Sequence, residues 1–241
     1  MTQKLTKAFT LVELSIVIVI IGLIIAGVTA GKGLVRQAQL RSITTDITKY
    51  TAAYNAFKIQ YNAVPGDMKN ASSYWTTTNG NGNGYVDSPE NFSTWKHLEL
   101  SKLIAGSYTG AIASGGYAVP GINVPKGAFN NSGYQIISQY AAGAIYGRGK
   151  TENGIRFGRS GTAYPAHMNA GVISPGNAYM IDQKSDDGLA SRGNIIAAAS
   201  NFLGSNGICV TGPYTGAAGS SNYIMTDTSD SSCVMQFWIG K

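Results

Sequence analysis

"KAFTLVELSIVIVIIGLIIAGVTAG" runs from Lys7 to Gly31. After Glu13 no charged residue occurs until Lys32, and Leu, Ile, Val, Ala and Gly fill the interval with only Ser15 and Thr29 interrupting. A run of this length and hydropathy spans a bilayer as a helix. Before it, Met1–Ala8 is short and polar and carries Lys4 and Lys7. No secretory cleavage site follows Gly33, because the pattern slides into a further helix, so the segment reads as a retained anchor. Positive-inside counting favours a cytoplasmic face for the first eight residues, but Lys32, Arg36 and Arg41 flank the other end and weaken that assignment. Glu13 is the anomaly. A carboxylate at the centre of a membrane helix costs roughly 2.5 to 3.5 kcal/mol on insertion scales, so it calls for a partner.

Downstream, Leu40, Ile43, Ile47, Tyr50, Tyr54, Phe57 and Tyr61 recur at alternating spacings of three and four, with Arg41, Asp46, Lys49 and Lys58 on other faces. Anchor and stripe together predict one helix over residues 9 to about 62, of about 80 Å at 1.5 Å per residue, stopped by Pro65 and Gly66. Gly22, Gly27, Gly31 and Gly33 are places where such a helix could bend.

Lys7, Ala8, Phe9, Thr10, Leu11, Val12, Glu13 and Leu14, followed by the unbroken apolar run, resemble the cleavage and methylation motif of type IV pilins and the related type II secretion pseudopilins. The resemblance covers about the first sixty residues. It implies a leader over residues 1–8, cleavage between Ala8 and Phe9 by a prepilin peptidase, and methylation of the new Phe9 amine. It also implies that Glu13 of an incoming subunit meets the Phe9 amine of its neighbour and selects the axial register. An amine and a carboxylate side by side neutralise each other inside a bundle of apolar helices, where either alone is expensive. The plainer reading of Glu13 is a carboxylate at the membrane interface, favoured by the helix N-terminal dipole. The chain departs from the family twice: Ala8 stands where Gly is usual, and Ala30 where many members have Pro.

The remaining residues, 63–241, read as one head. "SPENFSTWKHLELSKLIAG" predicts a helix with Ser88 as N-cap, Pro89 at the first helical position, and Phe92, Trp95, Leu98 or Leu100, and Leu103 on its apolar face, ended by Gly106. "YQIISQY", "NAYMIDQ", "NIIAAA" and "CVMQFWI" read as strands separated by Gly, Asn and Asp turns. The predicted fold class is therefore α+β: a long N-terminal helix, with a membrane half at 9–31 and an amphipathic half at 32–62, packed on an antiparallel sheet as in type IV pilins. Cys209 and Cys233 read as one disulfide of an exported domain. The alternative, a metal site recruiting His97 and His167, lacks CxxC or HxxxH spacing.

"NGNGNGYVDSPE" fits the register of a calcium loop. Asn79, Asn81 and Asn83 fall at positions one, three and five, Gly84 at six, the Tyr85 carbonyl at seven, Asp87 at nine and Glu90 at twelve. Alternating oxygens wrap a hard cation, and with charge only from Asp87 and Glu90 the affinity would suit millimolar extracellular calcium. The same residues also read as a Gly- and Asn-rich turn. Asp182, Asp186, Asp187 and Gly188 in "IDQKSDDGLASRG" read as a hairpin turn between strands, with a cation site or acid and base work by the clustered carboxylates as the alternative, although no nucleophile or paired His lies nearby in sequence.

The chain has 241 residues and a formal charge of +6, with Lys and Arg scattered rather than clustered, which gives no nucleic-acid footprint. It has no G-x-S-x-G, HExxH, P-loop or dinucleotide fingerprint, so a non-enzymatic role is expected. The partners implied by the resemblance are further copies of the chain in a helical filament, the peptidase, an inner-membrane assembly platform, and the membrane itself before assembly. The expected role is a pilus subunit, at the inner membrane before assembly and on the cell surface afterwards. A pseudopilin, or a membrane-anchored binding protein that does not polymerise, is the alternative.

Overall fold

A computed structural model describes residues 9–139, 152–161, 167–199, 208–211 and 221–240. The element order is α1 (Leu11–Tyr61), a 3-10 turn at Ala71–Ser73, α2 (Glu90–Leu100), β1 (Ser132–Gln139), β2 (Glu152–Arg159), α3 (Pro175–Ser185), β3 (Ile195–Ala199) and β4 (Cys233–Gly240). The chain is α+β, with a long N-terminal helix and a four-stranded antiparallel sheet of order β1-β2-β4-β3.

Two compact units divide between Arg41 and Ser42. In the first, α1 is continuous through Gly22, Gly27, Gly31 and Gly33. Its large aliphatic side chains from Leu11 to Val35 lie open, Leu23 at 70% exposure among them. By length and hydropathy this is a helix able to cross a membrane.

In the second unit, the end of α1 supplies the core. Ile43, Tyr54 and Phe57 are fully buried, and Ile47 and Tyr50 nearly so. The Tyr50 ring meets Trp95 of α2 and Tyr134 of β1 edge-on, at centroid distances of 5.0 and 5.3 Å. Each such aromatic or aliphatic side chain contributes roughly 1.5 to 3 kcal/mol by leaving water. The Tyr134 hydroxyl donates to Asp46 Oδ2 at 2.9 Å, so the polar edge of the stripe is fastened as well. The helix stops at Tyr61, and Asn62 turns the chain with φ 49°, a left-handed value that Asn tolerates at a helix end.

The sheet lays one face on this helix. Tyr134, Ile136, Asn153, Ile155, Phe157, Met235 and Phe237 alternate onto it, while Gln135, Arg156 and Gln236 stand in register on the other. On that opposite face Arg156, 3% exposed, donates from Nε and Nη2 to Gln236 Oε1 at 3.1 and 3.0 Å.

Three local expectations are corrected. "NAYMIDQ" is not a strand: it lies in α3, which starts at Pro175 after the extended Ser174. Ser88 does not cap α2. Pro89 occupies the N-cap position, the Ser88–Pro89 peptide is cis, no side chain caps the first turn, and the helix ends at Leu100, short of Gly106. Strand β2, "ENGIRFGR", carries two glycines and a buried arginine and was not recognised in the sequence.

Candidate functional site at the helix start

Phe9 and Thr10 precede α1 in non-helical conformation, and Phe9 is exposed. Ala8, the other half of the expected cleavage pair, lies outside the described residues. Glu13 sits in the first turn, and its Oε2 accepts hydrogen bonds from both the Thr10 backbone N–H and the Thr10 hydroxyl, each at 2.8 Å. The Glu13 N–H returns a bond to Thr10 Oγ1 at 3.2 Å. This is a capping box, in which a Thr at the cap and a Glu three residues on satisfy one another's donors. The carboxylate is thus held beside the point where a new amine at Phe9 would appear. The exposed aliphatic surface begins at Leu11 and runs on past Glu13.

Residues 4–29 match the model of the prokaryotic N-terminal methylation motif. The chain carries the prepilin signal of type IV pilins and pseudopilins. Neither a curated protein nor a solved structure matches it. The prepilin signal implies processing by a prepilin peptidase and insertion in a membrane, and α1 is suited to that anchoring. Sequence reading picked out Glu13 but not its Thr10 partner, although T-x-x-E before an apolar run is a legible signature.

The second marked segment, residues 79–90, is arranged around a residue from outside it. Asp67, 3% exposed, accepts from the Gly82 N–H at short range, from Asn83 N at 3.1 Å and from Gly84 N at 2.7 Å. Gly82 and Gly84 have φ of 72° and 88°, which lets the backbone turn its N–H groups onto that carboxylate. Glu90, also buried, accepts from Asn81 N at 2.8 Å and Asp87 N at 3.2 Å. Asp87 accepts from Asn83 Nδ2 at 3.1 Å and from the Ser138 hydroxyl at 2.7 Å. Asn81 and Asn83 oxygens accept from Asn83 N and Tyr85 N, at 2.9 and 2.8 Å. Asn79 is turned elsewhere, its Oδ1 accepting from Ser72 N at 2.8 Å.

Burial holds Glu90 above the ordinary carboxylate range, and the charges of Asp67 and Asp87 push the same way against two backbone hydrogen bonds. The side chains here offer oxygen only, three carboxylates among them, but loop N–H groups already occupy the Asp67 and Glu90 oxygens and the three carboxylates do not converge as one ligand cluster. Asp67 was invisible to the register because it lies twelve residues before Asn79.

Cys209 and Cys233 form a disulfide with Cα atoms 5.2 Å apart, tying the first residue of β4 to residues 208–211. The Asp182, Asp186 and Asp187 carboxylates lie within 4.8 Å of one another, and each serves the fold. Asp182 accepts from the Tyr223 hydroxyl at 2.7 Å, Asp186 from Ile195 N at the edge of β3 at 2.8 Å, and Asp187 from Leu189 N at 2.8 Å. Burial raises Asp182 to about 6. The expected hairpin turn is instead a helix-to-strand connection, from α3 to β3.

Proposed function

We propose that this chain is a pilin, a structural rather than catalytic subunit of a type IV pilus-like extracellular filament. It is inserted in the inner membrane, processed between Ala8 and Phe9, and polymerised through α1. The observation that carries this reading is the pairing, at one helix end, of a capped carboxylate with an aliphatic surface that none of the described residues covers. Lipid covers that surface before assembly and other copies of α1 cover it afterwards. Glu13 then neutralises the amine of the neighbouring Phe9. Electron microscopy of cells making and lacking the chain tests the reading, together with mass spectrometry of sheared material. Fibres that depend on the chain and contain it as a species beginning at N-methylated Phe9 support a pilin. Processed chain confined to the inner membrane supports the pseudopilin or the non-polymerising anchor instead.

A second reading concerns residues 79–90, which we propose bind calcium weakly, with Asp67 supplying a carboxylate in place of Asn79. The oxygen-rich side chains of residues 79–90, with Asp67 folded against Gly82, Asn83 and Gly84, support it.

A further inference from the structure

The polar side chains inside the apolar span are satisfied by their own helix. Ser15 Oγ donates to Val12 O at 2.8 Å, Thr29 Oγ1 lies 3.0 and 2.9 Å from Ile25 O and Ala26 O, and Glu13 takes both donors of Thr10. Ser15 and Thr29 need nothing further from the surroundings, and the Glu13 charge is left to the neighbouring amine. Lys32 differs. It is exposed, and among the described residues no hydrogen bond or ion pair holds its ammonium.

Its position along the helix says what meets it. From Leu11 to Gly31 the helix rises about 31 Å at 1.5 Å per residue, against a hydrocarbon core of about 30 Å. With the N-terminal end of α1 at one interface, Lys32 is the first residue to emerge at the other, at the depth of the lipid phosphates. An ammonium with three donors on a flexible stem reaches phosphate oxygens readily. Arg36 follows four residues later on the same helix face, adding positive potential along one line.

We propose that Lys32 binds a lipid phosphate, preferentially that of an anionic phospholipid, at the membrane face opposite the N-terminus. The contact fixes the depth of α1 and so holds Glu13, about 28 Å away along the helix, near its own interface. This rests on the membrane-inserted state in the function proposed above, and not on polymerisation.

The full-length chain, labelled with nitrogen-15 in its lysine side chains, is reconstituted in phosphatidylcholine vesicles with and without phosphatidylglycerol. Dephasing of the ammonium signals by lipid phosphorus is then compared between wild type and Lys32→Gln. In parallel, the detergent-solubilised chain is titrated with each lipid and the bound lipid counted by native mass spectrometry. A dephased signal that Lys32→Gln removes is expected. Phosphatidylglycerol affinity should fall about fivefold in that variant and be retained in Lys32→Arg, since one basic residue at an anionic surface is worth about a factor of five. A Lys32 signal untouched by phosphorus, or unchanged phosphatidylglycerol affinity in Lys32→Gln, overturns the proposal. Equal losses for the two lipids overturn its headgroup preference. A chain that forms fibres yet shows no phosphorus contact overturns this inference alone, whereas one that never enters vesicles overturns the membrane reading beneath it.

Discussion

Asn153 of β2 donates from Nδ2 to the Tyr54 hydroxyl of α1 at 2.8 Å in the buried core. The same nitrogen donates to Gly84 O at 3.0 Å, and the Asn153 oxygen accepts from Val86 N at 2.9 Å. One amide therefore joins the helix, the sheet and the loop 79–90, with its hydrogen-bonding groups spent on the fold.

Asn153→Ala leaves Val86 N–H and Gly84 O without that partner, and each buried group left unsatisfied costs about 1 to 3 kcal/mol. The variant should lose about 3 kcal/mol in urea unfolding of the full chain in detergent, and Tyr54→Phe only about 1 kcal/mol. Equal losses from the two substitutions would contradict a hub at Asn153.

The helix and its buried stripe were legible because an apolar run long enough to span a bilayer leads into about six turns of 3.6-residue periodicity from Leu40 to Tyr61. Strand β2 was not. Gly154, Arg156 and Gly158 occupy one face, so its apolar alternation rests on Ile155 and Phe157 alone. The two Ser-Pro pairs show how far a local signal reaches. At Ser174–Pro175 it starts a helix with Pro in the first turn, as its chemistry favours, whereas at Ser88–Pro89 the helix begins one residue later. The Glu13 site was readable because its chemistry is contiguous in sequence. Asp67 was not, since only the folded chain brings it to residues 82–84.

His97 is buried without exposure, and its ring fixes two turns: Nδ1 accepts from Gly66 N at 2.9 Å and Nε2 lies 3.3 Å from Thr78 O. Burial lowers its pKa to about 4. The unfolded chain takes up this proton near pH 6.5 and the folded chain near 4, so stability is full above about 6.5 and falls as the pH drops from there towards 4. The loss amounts to roughly 3 kcal/mol. His167, also lowered to about 4 by burial and the Arg156 charge, titrates alike in wild type and variant. Unfolding free energies of wild type and His97→Gln across that window should therefore differ in slope by about one proton. Parallel curves would contradict the neutral, buried His97.

Calcium binding by residues 79–90 predicts a higher melting temperature in millimolar calcium, because a ligand specific to the folded state stabilises it by mass action. At ten times the dissociation constant the gain is roughly 1.4 kcal/mol. Glu90→Gln and Asp67→Asn should each abolish the calcium-dependent part, and magnesium should substitute poorly because it demands a tighter octahedral shell. No shift in wild type, or a shift in either variant as large as that in wild type, would leave the loop ordered by its own carboxylates alone.

The polymerisation of α1 through Glu13 is tested most directly by counting surface fibres on cells whose sole copy of the chain is Glu13→Ala. Removing the carboxylate leaves the neighbouring amine unpaired among apolar helices, a loss of several kcal/mol per contact in a buried ion pair. The variant should be inserted and cleaved at Phe9 as wild type is, while fibre yield drops by at least tenfold. A wild-type yield of fibres built from the processed variant would contradict the account.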